Sequence, residues 1–212
     1  MWLWGSDGAP AAPTATIGDG VQVPTVAFGS ASHSWWATVI LLAVDATIFA
    51  SLAFAHIHVS MALDVCPPPG AALPAGGAWP AVGLVGASVA MAWAVRCLNR
   101  GRQGLLRLAV LLAMVGAIGA IGLDGGMHLQ AGLSPRANAW GATVAALLAW
   151  QGFHALVLLV MGGYLLARSW SGRLRPDARA TLDNTALIWY GVVVQALAGM
   201  ALVRWLPGWM GG

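Results

Sequence analysis

The stretch from Trp35 to Ala62, WWATVILLAVDATIFASLAFAHIHVSMA, is a hydrophobic run long enough to cross a bilayer, with one acid, Asp45, near its middle. At ~1.5 Å rise per residue Asp45 lies ~15 Å inside a helix that starts at Trp35, about the midplane of a ~30 Å hydrocarbon slab. A carboxylate there costs roughly 2.5–3.5 kcal/mol on the insertion scale. The eleven Val, Ile, Leu and Phe residues of the run, at about −0.3 to −0.6 kcal/mol each, contribute roughly −3 to −7 kcal/mol, so the segment still inserts. Asp45 then needs a partner inside the protein. On a helical wheel Phe49, Leu52 and His56 share its face, whereas His58 points to the other side.

Composition places the rest of the chain in the same environment. Hydrophobic residues make up 59% and charged residues 8% of the 212 residues, and mean hydropathy is +0.76. These values describe an integral membrane protein and exclude a soluble domain with a core. All ten basic residues are Arg and all seven acids are Asp. The Arg residues sit beside apolar runs and not on a mixed basic and aromatic surface, so the basic balance marks membrane topology and not a nucleic-acid partner.

Residues 1–34 are rich in Gly, Pro, Ala, Thr and Ser with no helical period, and lack the basic start and apolar core of a signal peptide. They read as a poorly ordered or draped N-terminal arm. Residues 35–212 form one transmembrane domain. Its spans are expected at about 35–62, 79–98, 104–123, 139–168 and 184–206, an all-α bundle of five helices. The Pro-rich loop 64–80 and the segment DGGMHLQAGLSPRAN at 124–138 return to water on one side; the turn after Leu98 and the segment 169–183 do so on the other. Arg96, Arg100, Arg102, Arg107, Arg168, Arg173, Arg175 and Arg179 fall on the side of the N-terminus, against Arg136 and Arg204 opposite. That asymmetry predicts a cytoplasmic N-terminus and a periplasmic C-terminus. Trp35, Trp36, Trp79, Trp140, Trp170, Trp205 and Trp209 fall near span ends, as interfacial anchors do. Cys66 and Cys97 lie one membrane thickness apart, too far for a disulfide.

Gly83, Gly86 and Ala90 in the second span, and Gly116, Gly119, Ala120 and Gly122 in the third, give small faces for close helix packing. Intramembrane polar atoms are few. Counted from the N-terminal side at ~1.5 Å per residue, Asp45 is ~15 Å deep, Gln195 ~16 Å and His154 ~21 Å, with Gln151 one turn from His154 on its face. Asp45, His154, Gln195 and Gln151 form the candidate polar cluster, which serves either a proton-linked or coupling site or a hydrogen-bonded lock on helix register. His56 and His154 differ in depth by ~13 Å, which disfavours a haem between them. No metal-ligand spacing, phosphate loop or serine elbow appears, so no catalytic residue or cofactor-binding residue is assigned to this chain.

Several stretches resemble the third subunit of the haem–copper terminal oxidases. WWATVILLAVDATIFASLAFAH resembles the helix that bears that family's membrane carboxyl, with Asp45 where Glu is usual. PPPGAALPAGGAWP resembles its Pro-rich outer loop, and Trp150-Gln151-Gly152-Phe153-His154 the Gly-Phe-His of its next-to-last helix. Ile188-Trp189-Tyr190 resembles the start of its last helix, although Gly191 and Gln195 stand where His and Asp usually follow. The resemblance covers about residues 33–207 and fits the short five-helix form. It implies a subunit without redox centres in a bacterial inner membrane, packed against catalytic subunit I and other oxidase subunits, with haem and copper in the partner. It also implies bound phospholipid and a role in proton uptake and complex stability. A small proton-linked transporter or channel is the alternative.

Overall fold

The computed structural model describes residues 14–17, 21–24, 33–69, 71, 73–74 and 77–210. Most of the arm, at 1–13, 18–20 and 25–32, and the side chain of Trp209 lie outside that set.

Among the described residues, five helices are long and apolar enough to cross a membrane: α1 (His33–Met61), α2 (Trp79–Asn99), α3 (Gln103–Gln130), α4 (Ala139–Trp170) and α5 (Ala180–Met210). A multi-pass helical bundle follows, because in hydrocarbon each backbone polar group must be satisfied within its own segment. Two short strands, β1 (Thr14–Ile17) and β2 (Val21–Pro24), pair antiparallel in the arm. The arm was expected to lack regular structure. TATI and VQVP are too short for a helix, but alternate β-branched residues with other types as a hairpin does.

Successive helices run in alternate directions. At the end where α1 begins, here the near end, Gln103 Nε2 donates to the Leu174 carbonyl at 2.9 Å. There too, Arg107 bonds both the hydroxyl and the carbonyl of Ser169 at 3.0 Å, which caps the last turn of α4. Arg179 forks onto Asp183 at 2.8 Å and reaches Asn99 at 2.9 Å, joining the two near-end turns. Its hydrogen bonds to the Asp183 carboxylate raise the Arg179 guanidinium above its ordinary range, so it stays charged. Cys66 and Cys97 are both free.

The core lies among α2, α3, α4 and α5, and α1 packs along α4 and α5 at its edge. Just 6% of the most apolar window of α1 is buried, against 28–44% in the last three helices. The small faces meet where α2 crosses α3. A Cβ on Gly83 would sit 3.0 Å from the Ala120 Cβ, and one on Gly116 3.2 Å from the Ala87 Cβ. Gly86, Gly119 and Gly122 face open space instead. Gly116→Leu is therefore expected to force α2 from α3 and cost ~1–3 kcal/mol, whereas Gly119→Leu should be near neutral. Thermal unfolding in detergent separates the two.

Two expectations are corrected at the opposite, far end. The segment 124–130 is not loop: α3 continues through Gln130, with Asp124 1% and His128 2% exposed. Asp124 is neutralised by Arg204 of α5 at 2.7 Å, and the same guanidinium donates to the Gly77 carbonyl at 2.6 Å. A polar stretch stays helical when a distant charge satisfies it. Likewise Trp140 is no interfacial anchor. It is buried with Val144, Leu147 and Val203, while Trp36, Trp79, Trp170 and Trp205 are exposed as anchors would be.

Candidate functional site: a closed hydrogen-bond ring around Asp45

Asp45 projects from α1 toward α4 and α5, into the interior its sequence position required. Its Oδ1 lies 3.0 Å from His154 Nε2, and its Oδ2 accepts from Gln195 Nε2 at 2.6 Å. Gln195 Oε1 in turn accepts from the indole Nε1 of Trp150 at 3.1 Å. His154 Nδ1 lies 2.9 Å from the Trp150 carbonyl one turn back along α4. The four residues close a ring that runs from the Trp150 side chain through Gln195, Asp45 and His154 to the Trp150 backbone. The side chains of Asp45 and His154 are 15% and 7% exposed, so water does not substitute for these partners.

The chemistry of the end groups fixes all but one of the bond directions. An indole N–H can only donate, so Gln195 turns its oxygen to Trp150 and its amide hydrogens to Asp45 Oδ2. A backbone carbonyl can only accept, so His154 carries a hydrogen on Nδ1. One position remains undetermined, between Asp45 Oδ1 and His154 Nε2. Two lone pairs facing each other at 3.0 Å repel, and so do two hydrogens. The ring is therefore complete with one proton in that gap. Whether carboxyl or imidazole holds it, the pair has zero net charge, which is what a low-dielectric site favours.

This bonding makes Asp45→Asn a specific test. The amide can present its oxygen to Gln195 and its NH2 group to His154 Nε2, so each bond keeps its direction. The expected loss is under ~1 kcal/mol, measured as the unfolding midpoint in detergent.

The ring brings together three of the four candidates, Asp45, His154 and Gln195. Gln151 does not join it. Its Nε2 donates to the Ala196 carbonyl at 3.4 Å and its Oε1 has no partner among the described residues. Gln151 instead ties α4 to α5 about a turn farther along, where a Cβ on Gly199 would stand 2.8 Å from its Nε2. Trp150 was not singled out in advance, because a tryptophan in an apolar span reads as packing. His56 shares the face of Asp45 as expected but serves elsewhere: it is fully buried, with Nδ1 2.9 Å from the Thr143 hydroxyl. The Thr143 hydroxyl donates to the Trp140 carbonyl, so His56 Nδ1 is the donor, and its Nε2 has no partner among the described residues. His58 is exposed on the opposite face, stacked on Phe54. Aromatic rings of Trp150 and Phe153 flank His154 with centroids at 4.7 and 5.3 Å.

No protein-family model matches the chain, and a search of curated proteins finds no significant relative.

Proposed function

We propose that this chain is a non-catalytic accessory subunit of an aerobic respiratory haem–copper oxidase, of the third-subunit type, in a bacterial inner membrane with its N-terminus cytoplasmic. One observation carries the reading. Three of the four stretches that resemble that family converge on a single site: Asp45 comes from the first, Trp150 and His154 from the third, and Gln195 follows the fourth on α5. Residues that resemble a family's motifs one by one gain weight when the fold makes them one unit. In this role the ring joins α1 to α4 and α5 and keeps the Asp45–His154 pair at zero net charge within the bilayer. Haem and copper belong to the partner catalytic subunit, and phospholipid fills the exposed apolar faces. The Arg excess at the near end supports the cytoplasmic N-terminus.

The test is to tag the chain at its C-terminus, purify it in mild detergent from its native membrane, and record spectra and co-purifying proteins. Reduced haem bands together with a large many-helix partner are the expected result. A colourless, monodisperse protein without a partner sinks the proposal. The shared proton of Asp45 and His154 favours a second reading, a small proton-linked transporter. That reading expects proton flux in liposomes holding the chain alone, abolished by His154→Phe.

A further inference from the structure

On the near-end side of the ring, a cleft of about 390 Å³ opens between the start of α1, the end of α4 and the start of α5. Six polar residues line it, Ser34, Thr38, Tyr164, Thr181, Asn184 and Thr185, none of them an acid or a base at neutral pH, together with the apolar Val160, Met161 and Ala180. At ~30 Å³ each, on the order of ten waters fit, and the polar groups on an otherwise apolar wall give them hydrogen-bond partners. The Asn184 side-chain oxygen is fully buried and has no hydrogen-bond partner among the described residues. The hydroxyls of Thr38 and Thr185 donate back to the carbonyls of Ser34 and Thr181, which leaves their oxygens as acceptors. Water in the cleft donates to the hydroxyl oxygens that reach its wall.

The helical register points this cleft at the ring. Thr38 stands two turns before Asp45 on α1, and Met161, also lining the cleft, two turns after His154 on the oppositely directed α4. Asn184 stands three turns before Gln195 on α5. Each helix thus carries a cleft residue on the face that carries its ring residue, ~10 Å away on α1 and α4 and ~16 Å on α5. Leu42 and Leu158 occupy the level between. Leu42 is pressed on the α5 backbone: a Cβ on Gly191 would lie 2.7 Å from its Cδ2. Leu158 is fully buried, whereas Leu42 is partly exposed.

We infer that the near-end cleft is a water-filled vestibule through which the proton shared by Asp45 and His154 exchanges with the aqueous phase, with Leu42 against Gly191 as its barrier. In each exchange a proton arrives along the water chain and the resident proton leaves by it, so the composition and charge of the pair are unchanged. The inference rests on this chain's own geometry and stands whether the protein serves an oxidase or acts alone.

The test uses the full chain in nanodiscs with 15N-labelled histidine, following loss of the His154 ring N–H signals after transfer to D2O. Leu42→Ala is expected to speed exchange about tenfold, the factor given by ~1.4 kcal/mol off a barrier. Asn184→Leu should slow it, and Ile48→Ala, on the lipid-facing side of α1, should leave it unchanged. Leu42→Val serves if the alanine variant does not fold. In parallel, Thr181→Cys and Asn184→Cys, placed in a Cys66→Ser, Cys97→Ala background, should react with a charged methanethiosulfonate, while Val44→Cys should not. Exchange that is the same with Leu42 shortened as in the wild type overturns the inference. So do vestibule cysteines no more reactive than Val44→Cys. Neither result bears on whether an oxidase co-purifies.

Discussion

Asp45→Leu is expected to destabilise the protein by ~2–5 kcal/mol, although it places a better membrane residue in a membrane helix. Removing the carboxyl leaves the Gln195 amide donor and the His154 Nε2 acceptor unpaired in a site largely closed to water. Each unpaired buried group costs ~1–3 kcal/mol. The leucine recovers part of this, because the insertion cost of the acid disappears. A comparison with Asp45→Asn isolates the ring, since the amide keeps the bonds and the leucine does not. Unfolding midpoints in the same detergent decide it, and equal stability of the two variants would show that the ring contributes nothing. Gln195→Leu should give an intermediate loss, because Trp150 Nε1 and Asp45 Oδ2 then lose their partners while the Asp45–His154 bond remains.

Arg204→Ala has the other large expected effect, a loss of ~3–5 kcal/mol, the usual result of stripping one partner from a buried ion pair. Asp124 is 1% exposed and would be left as an uncompensated carboxylate beside His128, whose Nε2 lies 3.9 Å away. The Gly77 carbonyl would lose its donor as well, so the turn entering α2 loosens with the far end of α5. Asp124→Asn combined with Arg204→Met should recover much of the loss, because the double variant buries no charge. If the two single losses instead add in the double variant, the residues do not act as a pair.

Both sites show what a linear reading reaches. Asp45 was visible because a lone acid in the middle of a long apolar run has one resolution, a polar partner inside the bundle. Depth along each helix then narrowed the partners to His154 and Gln195, because rise per residue is nearly constant in an α-helix. The same arithmetic included Gln151, which shares the face of His154. It could not tell that the side chain turns to the Ala196 backbone and not to Asp45. Trp150 escaped notice because its contribution is a single N–H, at a position set by the rotamer of a large ring.

Asp124 marks the opposite case. Asp124-Gly125-Gly126 looks like a helix end, since Asp and Gly lower helix propensity and water normally satisfies the acid. The residue that keeps it helical, Arg204, lies 80 positions away. It was read as a topology charge for the equally local reason that it sits near a span end. Gly83 and Gly86 are indistinguishable as small residues, yet one meets Ala120 and the other faces open space.

By itself the sequence determined five apolar helices, their approximate ends, their order and the need of Asp45 for company, because hydrophobic length and helical rise are local properties. Tertiary structure decided which faces meet, where α3 ends, the closed ring with its one shared proton, and the polar cleft aimed at it. Those depend on distances between side chains far apart in the chain, which no local period encodes.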